Sequence, residues 1–92
     1  MLYTLTEIIA DRKTNPVDRS YTNRLLADGE DAILRKVGEE SIEVILAAKG
    51  QGDQRLIEET SDLIYHLLVL LAARDLSLVD IETELTRRHT EV

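Results

Sequence analysis

The chain has 92 residues, no cysteine and a formal net charge of −7. That is one small domain's worth of chain, with no means for a disulfide framework or a thiolate metal site, which suits a reducing cytoplasm, and without the basic face that nucleic-acid binding needs. The longest apolar run, Leu67 to Ala73, is far short of a membrane span, and the acid-bearing start "MLYTLTEIIADRK" lacks the layout of a signal peptide.

No stretch alternates with a two-residue period, so the chain reads as all-α, an antiparallel bundle of about four to five helices over residues 1–92. The first helix is expected from about Thr4 to Arg12, with Thr4 and Glu7 at capping-box spacing. "KTNPVDR" is a loop broken by Pro16. Ser20 caps a short second helix, "YTNRLLAD", which stops at Gly29. The third helix runs from about Asp31 to Lys49 and turns Ile33, Val37, Val44 and Ala48 inward. After "GQGD", Asp53 caps a fourth helix that continues to about Arg74, apolar almost all round from Leu63 onward. Ser77 caps a fifth, "LVDIETELTRRH", with Leu78, Ile81 and Leu85 inward. So many apolar stripes on so short a chain favour a homo-oligomer, most simply a two-fold dimer.

The acidic residues of the third and fourth helices have a pattern. Side chains three or four apart share a helix face. Lys36, Glu40 and Glu43 therefore lie together on one helix, and Glu59, Asp62 and His66 on the other. Folded into a hairpin at "GQG", residues at equal height have numbers of constant sum, about 102. Glu43 then meets Glu59, Glu40 meets Asp62, and Lys36 meets His66. Four converging carboxylates raise one another's pKa and need a counter-charge. A hard divalent cation such as Mg²⁺ supplies it with an all-oxygen ligand set; without cysteine, zinc is disfavoured.

Bland readings stand beside this one. Acidic runs often make a solvated face, and that reading is preferred for Glu39 and Glu58, each about 100° off the shared faces. His66 reads as a packed, hydrogen-bonded histidine, and Tyr65 as a core residue with its hydroxyl at an edge. No Glu-x-x-His pair occurs, which removes a di-iron bundle.

"EESIE" (39–43) and "ETSD" (59–62) match the E-E-x-x-E … E-x-x-D pattern of the all-α nucleoside triphosphate pyrophosphatases, the MazG-like superfamily. With "SYT", "KVGEE" and "DLIYHLLVLL", the text from about residue 4 to residue 88 resembles the phosphoribosyl-ATP pyrophosphatase family of histidine biosynthesis. Ser41 and the Thr60–Ser61 pair stand where that family's pattern suggests alanine, and all three are small enough to keep the helix contact. The resemblance implies a cytoplasmic homodimer that hydrolyses phosphoribosyl-ATP to phosphoribosyl-AMP and pyrophosphate with Mg²⁺. It implies Glu40, Glu43, Glu59 and Asp62 as metal ligands, the same four that the hairpin selects. The chain looks like the form without a fused cyclohydrolase. Glu39 is a candidate general base or outer partner as well as a surface residue. Lys36, Arg24 and Arg35 are candidates for phosphate contact, and Ser20 and Tyr21 for the nucleotide side. Two rivals share the sequence: a general (d)NTP pyrophosphatase with the same carboxylates, and a non-enzymatic helical interaction module.

Overall fold

Two glycines in the left-handed half of backbone space divide the chain. Gly29 (φ 101°) and Gly52 (φ 86°) hold conformations that side-chain-bearing residues rarely adopt; Gly29 ends the second helix and opens the third, and Gly52 opens the fourth after Gln51 has ended the third. The computed structural model describes residues 1–91. It has five α-helices, α1 (Leu2–Thr14), α2 (Tyr21–Asp28), α3 (Glu30–Gly50), α4 (Asp53–Ala73) and α5 (Leu78–Arg88), then a 3-10 turn at His89–Glu91; no strand occurs among the described residues.

Ser20 caps α2 by accepting the Asn23 backbone N–H at 3.2 Å. Ser77 caps α5 in a reciprocal box with Asp80, whose carboxylate accepts the Ser77 backbone N–H at 2.9 Å. Ser77→Ala is expected to cost about 1 kcal/mol, read as a lower urea midpoint at unchanged slope. Two other start signals are corrected. α1 begins at Leu2 with no side-chain cap, so Thr4 and Glu7 lie inside the helix, because Leu2 and Tyr3 extend it by most of a turn. Asp53 is the first residue of α4 rather than its cap; the cap is Gly52, and the carboxylate sits in the first turn, where the helix dipole favours it.

α3 and α4 pack along their length as an antiparallel hairpin, with α1 and α2 laid across them. The core is Ile9, Leu25, Ile33, Leu68, Val69 and Ala72, toward the end of the hairpin away from its turn. Lys13 closes that end: its ammonium donates to the Ala72 carbonyl at 3.0 Å and to the Asp75 carboxylate at 2.6 Å, placing a cation on the C-terminus of α4. The Ser41 and Ser61 hydroxyls donate to the carbonyls one turn back, Val37 and Ile57, both at 2.8 Å, so both polar groups are satisfied within their own helices.

Much apolar surface stays uncovered in one chain. Leu34, Ile42, Ile45 and Leu46 form an exposed stripe on the outer side of α3. Ala48 is exposed and Ala47 is buried in its place, because near the turn only α4 is present to cover α3 and Ala47 faces it. On α5, Leu78 packs against the core, but Ile81 and Leu85 are exposed, contrary to the inward placement expected of them; α5 contacts little beyond α1. α4 is also less covered than its composition suggests, with Leu67 exposed. No helix among the described residues is long and apolar enough to cross a membrane.

Candidate active site

The α3–α4 hairpin decides which acids meet. The connection between the helices is Gln51 and Gly52, and the sharp reversal brings the middle turns of the two helices face to face. Glu40, Glu59 and Asp62 each direct one carboxylate oxygen into a single group in which the oxygens lie within 4.8 Å of one another. Glu40 is half-buried, Glu59 is buried and Asp62 is exposed, so the group opens toward solvent on the Asp62 side. The fourth candidate, Glu43, is half-buried one turn along α3 and stands outside that group. It is about 60° around the helix from Glu40, between the inward face and the exposed stripe.

The electrostatics follow from this crowding. Burial pushes the Glu40 carboxyl above its ordinary value; Asp62 and then Glu59 add to the rise, while His66 and Lys36 oppose it. Glu59 is only 6% exposed and is compensated by the Arg55 guanidinium one turn earlier, which also pairs with Glu58. Arg55 was legible in the sequence as an i, i+3 and i, i+4 partner of those two glutamates, but no reading of the carboxylates alone points to it. The donor set fits a hard divalent cation: three convergent carboxylates, one of them desolvated, and no thiolate. His66 adds no ligand nitrogen, because both ring nitrogens are engaged, Nδ1 with the Asp62 carbonyl at 2.7 Å and Nε2 with the Tyr21 hydroxyl at 2.9 Å.

The remaining candidates surround a second feature. Tyr21, Leu25, Asp28, Ala32, Arg35, Lys36 and Glu39 line a cleft of about 310 Å³ between α2 and α3. Lys36 pairs with Glu39 at 3.6 Å rather than with Glu40, a contact between part-exposed groups that contributes little to stability. Arg24 lies over the Tyr21 ring, 5.5 Å from its centroid. Ser20 is occupied as the helix cap. Tyr65 is half-buried, and its hydroxyl hydrogen-bonds the buried Thr22 hydroxyl.

Comparison with known proteins agrees with this architecture. The family described as "PRA-PH: Phosphoribosyl-ATP pyrophosphohydrolase" matches residues 2–89. A phosphoribosyl-ATP pyrophosphatase of Listeria monocytogenes is 57% identical over 88 residues, which are 96% of this chain and 84% of the relative. One from Clostridium acetobutylicum is 49% identical over 92 residues, 100% of this chain and 84% of the relative. The "Histidine biosynthesis bifunctional protein HisIE" of Caldanaerobacter subterraneus subsp. tengcongensis is 51% identical over 89 residues, 97% of this chain but 43% of that longer protein. A family match over nearly the whole chain and relatives at about half identity, on an all-helical fold whose hairpin gathers the acids of both motifs, establish that this chain belongs to the phosphoribosyl-ATP pyrophosphohydrolase family.

Proposed function

We propose that this chain, as a single domain, hydrolyses phosphoribosyl-ATP to phosphoribosyl-AMP and pyrophosphate, the second step of histidine biosynthesis, with Mg²⁺ as its cofactor. The observation that carries the reading is the convergence of Glu40, Glu59 and Asp62 from both sequence motifs on one point between two helices. A bound Mg²⁺ supplies Lewis acidity toward phosphate oxygens and water, and screens an acidic site from an anionic substrate.

The chain's own residues do the rest. Glu40, Glu59 and Asp62 would hold the cation, with Glu43, one turn along α3, as a fourth candidate ligand. Glu39, on the wall of the adjoining cleft, takes the proton of the attacking water. The water oxygen bonds to the α-phosphorus as the bond to the pyrophosphate oxygen breaks. Lys36, Arg35 and Arg24 neutralise phosphate oxygens from the α2–α3 side, and Ser20 and Tyr21 border the nucleotide.

The reaction takes place in a homodimer in the cytoplasm, with no nucleic-acid or membrane partner. The exposed stripe Leu34, Ile42, Ile45 and Leu46 supports this assembly, because contiguous apolar surface of this kind marks association sites. The test is hydrolysis of phosphoribosyl-ATP beside a panel of ordinary nucleoside triphosphates. Preferential release of pyrophosphate from phosphoribosyl-ATP is expected. Equal or faster turnover of the common triphosphates would instead assign a general nucleotide pyrophosphatase.

A further inference from the structure

His66 and Tyr21 stand beside the carboxylate group, and the chemistry above uses neither side chain's hydrogen bonds. His66 is 5% exposed, and both its ring nitrogens are satisfied. Its Nδ1 lies 2.7 Å from the carbonyl oxygen of Asp62. A carbonyl only accepts, so Nδ1 carries a hydrogen and donates it there. The Tyr21 hydroxyl hydrogen-bonds Nε2 at 2.9 Å. The phenol oxygen is thereby held against α4.

This bond is one of two in series. The neighbouring residues Thr22 and Tyr65 make a second hydroxyl contact between the same two helices. The rings of Tyr21, Tyr65 and His66 interlock, with Tyr21 stacked on Tyr65 at 6.1 Å between centroids and His66 edge-on to both. An eight-residue helix is thus tied to the longest apolar helix through directional polar bonds as well as through Leu25. Directional bonds, here part-buried, fix one arrangement, where apolar packing alone tolerates sliding. The arrangement they fix matters because Tyr21 is also a wall of the α2–α3 cleft, and the Nδ1 end of the chain of bonds terminates on the backbone carbonyl of Asp62.

We propose that the Tyr21–His66 pair is a positioning device: it locks the α2 wall of the cleft to the turn of α4 that bears Asp62, so that a phosphorylated nucleotide lodged in the cleft is presented to the carboxylates in one orientation. This rests on the pyrophosphohydrolase reading above. His66 acts through Tyr21 and Asp62 and touches no reacting atom, so it is a positioning residue.

The test is steady-state kinetics on phosphoribosyl-ATP at saturating Mg²⁺, with Tyr21→Phe, His66→Leu, His66→Gln and the Tyr21→Phe/His66→Leu double variant of the full chain. Tyr21→Phe keeps the ring and loses only the hydroxyl. It is expected to lower kcat roughly ten- to hundredfold, the usual effect of lost orientation, with KM close to wild type. His66→Leu should lose a similar factor, and His66→Gln, whose amide oxygen can stand near the Nε2 position, should recover most of it. The double variant should be no worse than the poorer single, since both remove one bond. If His66→Leu does not fold, Tyr21→Phe and His66→Gln carry the test. Wild-type kcat and KM in Tyr21→Phe, or losses that multiply in the double variant, would overturn the positioning role. Absence of phosphoribosyl-ATP hydrolysis by the wild type would instead overturn the functional reading, and the positioning role with it.

Discussion

Replacing Glu40 by glutamine is expected to abolish hydrolysis and, at neutral pH without divalent cations, to raise the melting temperature. The two effects have one origin. Burial first, and then the charges of Asp62 and Glu59, push the Glu40 carboxyl upward in the folded chain. A raised folded value means that the fold prefers the protonated form. Its stabilising contribution is complete below the unfolded value of 4.5 and is lost as pH rises through the folded value. Above that folded value the ionised Glu40 opposes folding, and the isosteric amide removes that opposition. The amide also removes a charge from the proposed metal site, and a loss of several kcal/mol in transition-state stabilisation corresponds to on the order of a thousandfold or more in kcat/KM. Asp62→Asn should match it in activity. Scanning calorimetry supplies the second readout. A cation that binds only the folded wild type adds about 2.7 kcal/mol at one hundred times its Kd, and each kcal/mol is about 4–8 °C for a domain of this size. That gain should be absent in both variants. Near-wild-type activity in both, or an undiminished Mg²⁺-dependent rise in melting temperature, would remove the metal-site assignment.

A single charge on the outer face of α3 should separate two chains. Ile45 is 61% exposed in one chain, so Ile45→Asp on an isolated subunit would change stability little. If a second copy covers the stripe, the same substitution buries an unpaired carboxylate, which costs several kcal/mol, and two-fold symmetry imposes it twice. Analytical ultracentrifugation should give about twice the 10.4 kDa chain mass for the wild type and a single chain's mass for Ile45→Asp, with a lower melting temperature. A monomeric wild type, or a variant that still sediments as a dimer, would exclude this face as the contact.

Helix order and the hairpin were legible because local signals carry them. Ser20, Gly29 and Ser77 mark ends by mechanisms that need no tertiary context. The meeting of Glu40 with Glu59 and Asp62 follows from helical period and a short turn alone. What the sequence hid depends on neighbours outside one helix. Thr4 and Glu7 have capping spacing, yet Leu2 and Tyr3 extend the helix past them. Ile81 and Leu85 are amphipathic on paper, and no element of the same chain covers them. The fourth acid, Glu43, stands one turn along α3 from Glu40 and outside the common point. Arg55 and the Tyr21–His66 bond escape a search for acids because they are the partners of acids and of a helix, not acids themselves.

The two-residue connection at Gln51–Gly52 acts as a ruler. One added residue there would slide α4 by about 1.5 Å and rotate it by about 100° against α3, carrying Glu59 and Asp62 away from Glu40. Chain length is therefore constrained more tightly at this surface reversal than in the segment from Asn15 to Ser20, where an insertion leaves the spacing of the three acids unchanged.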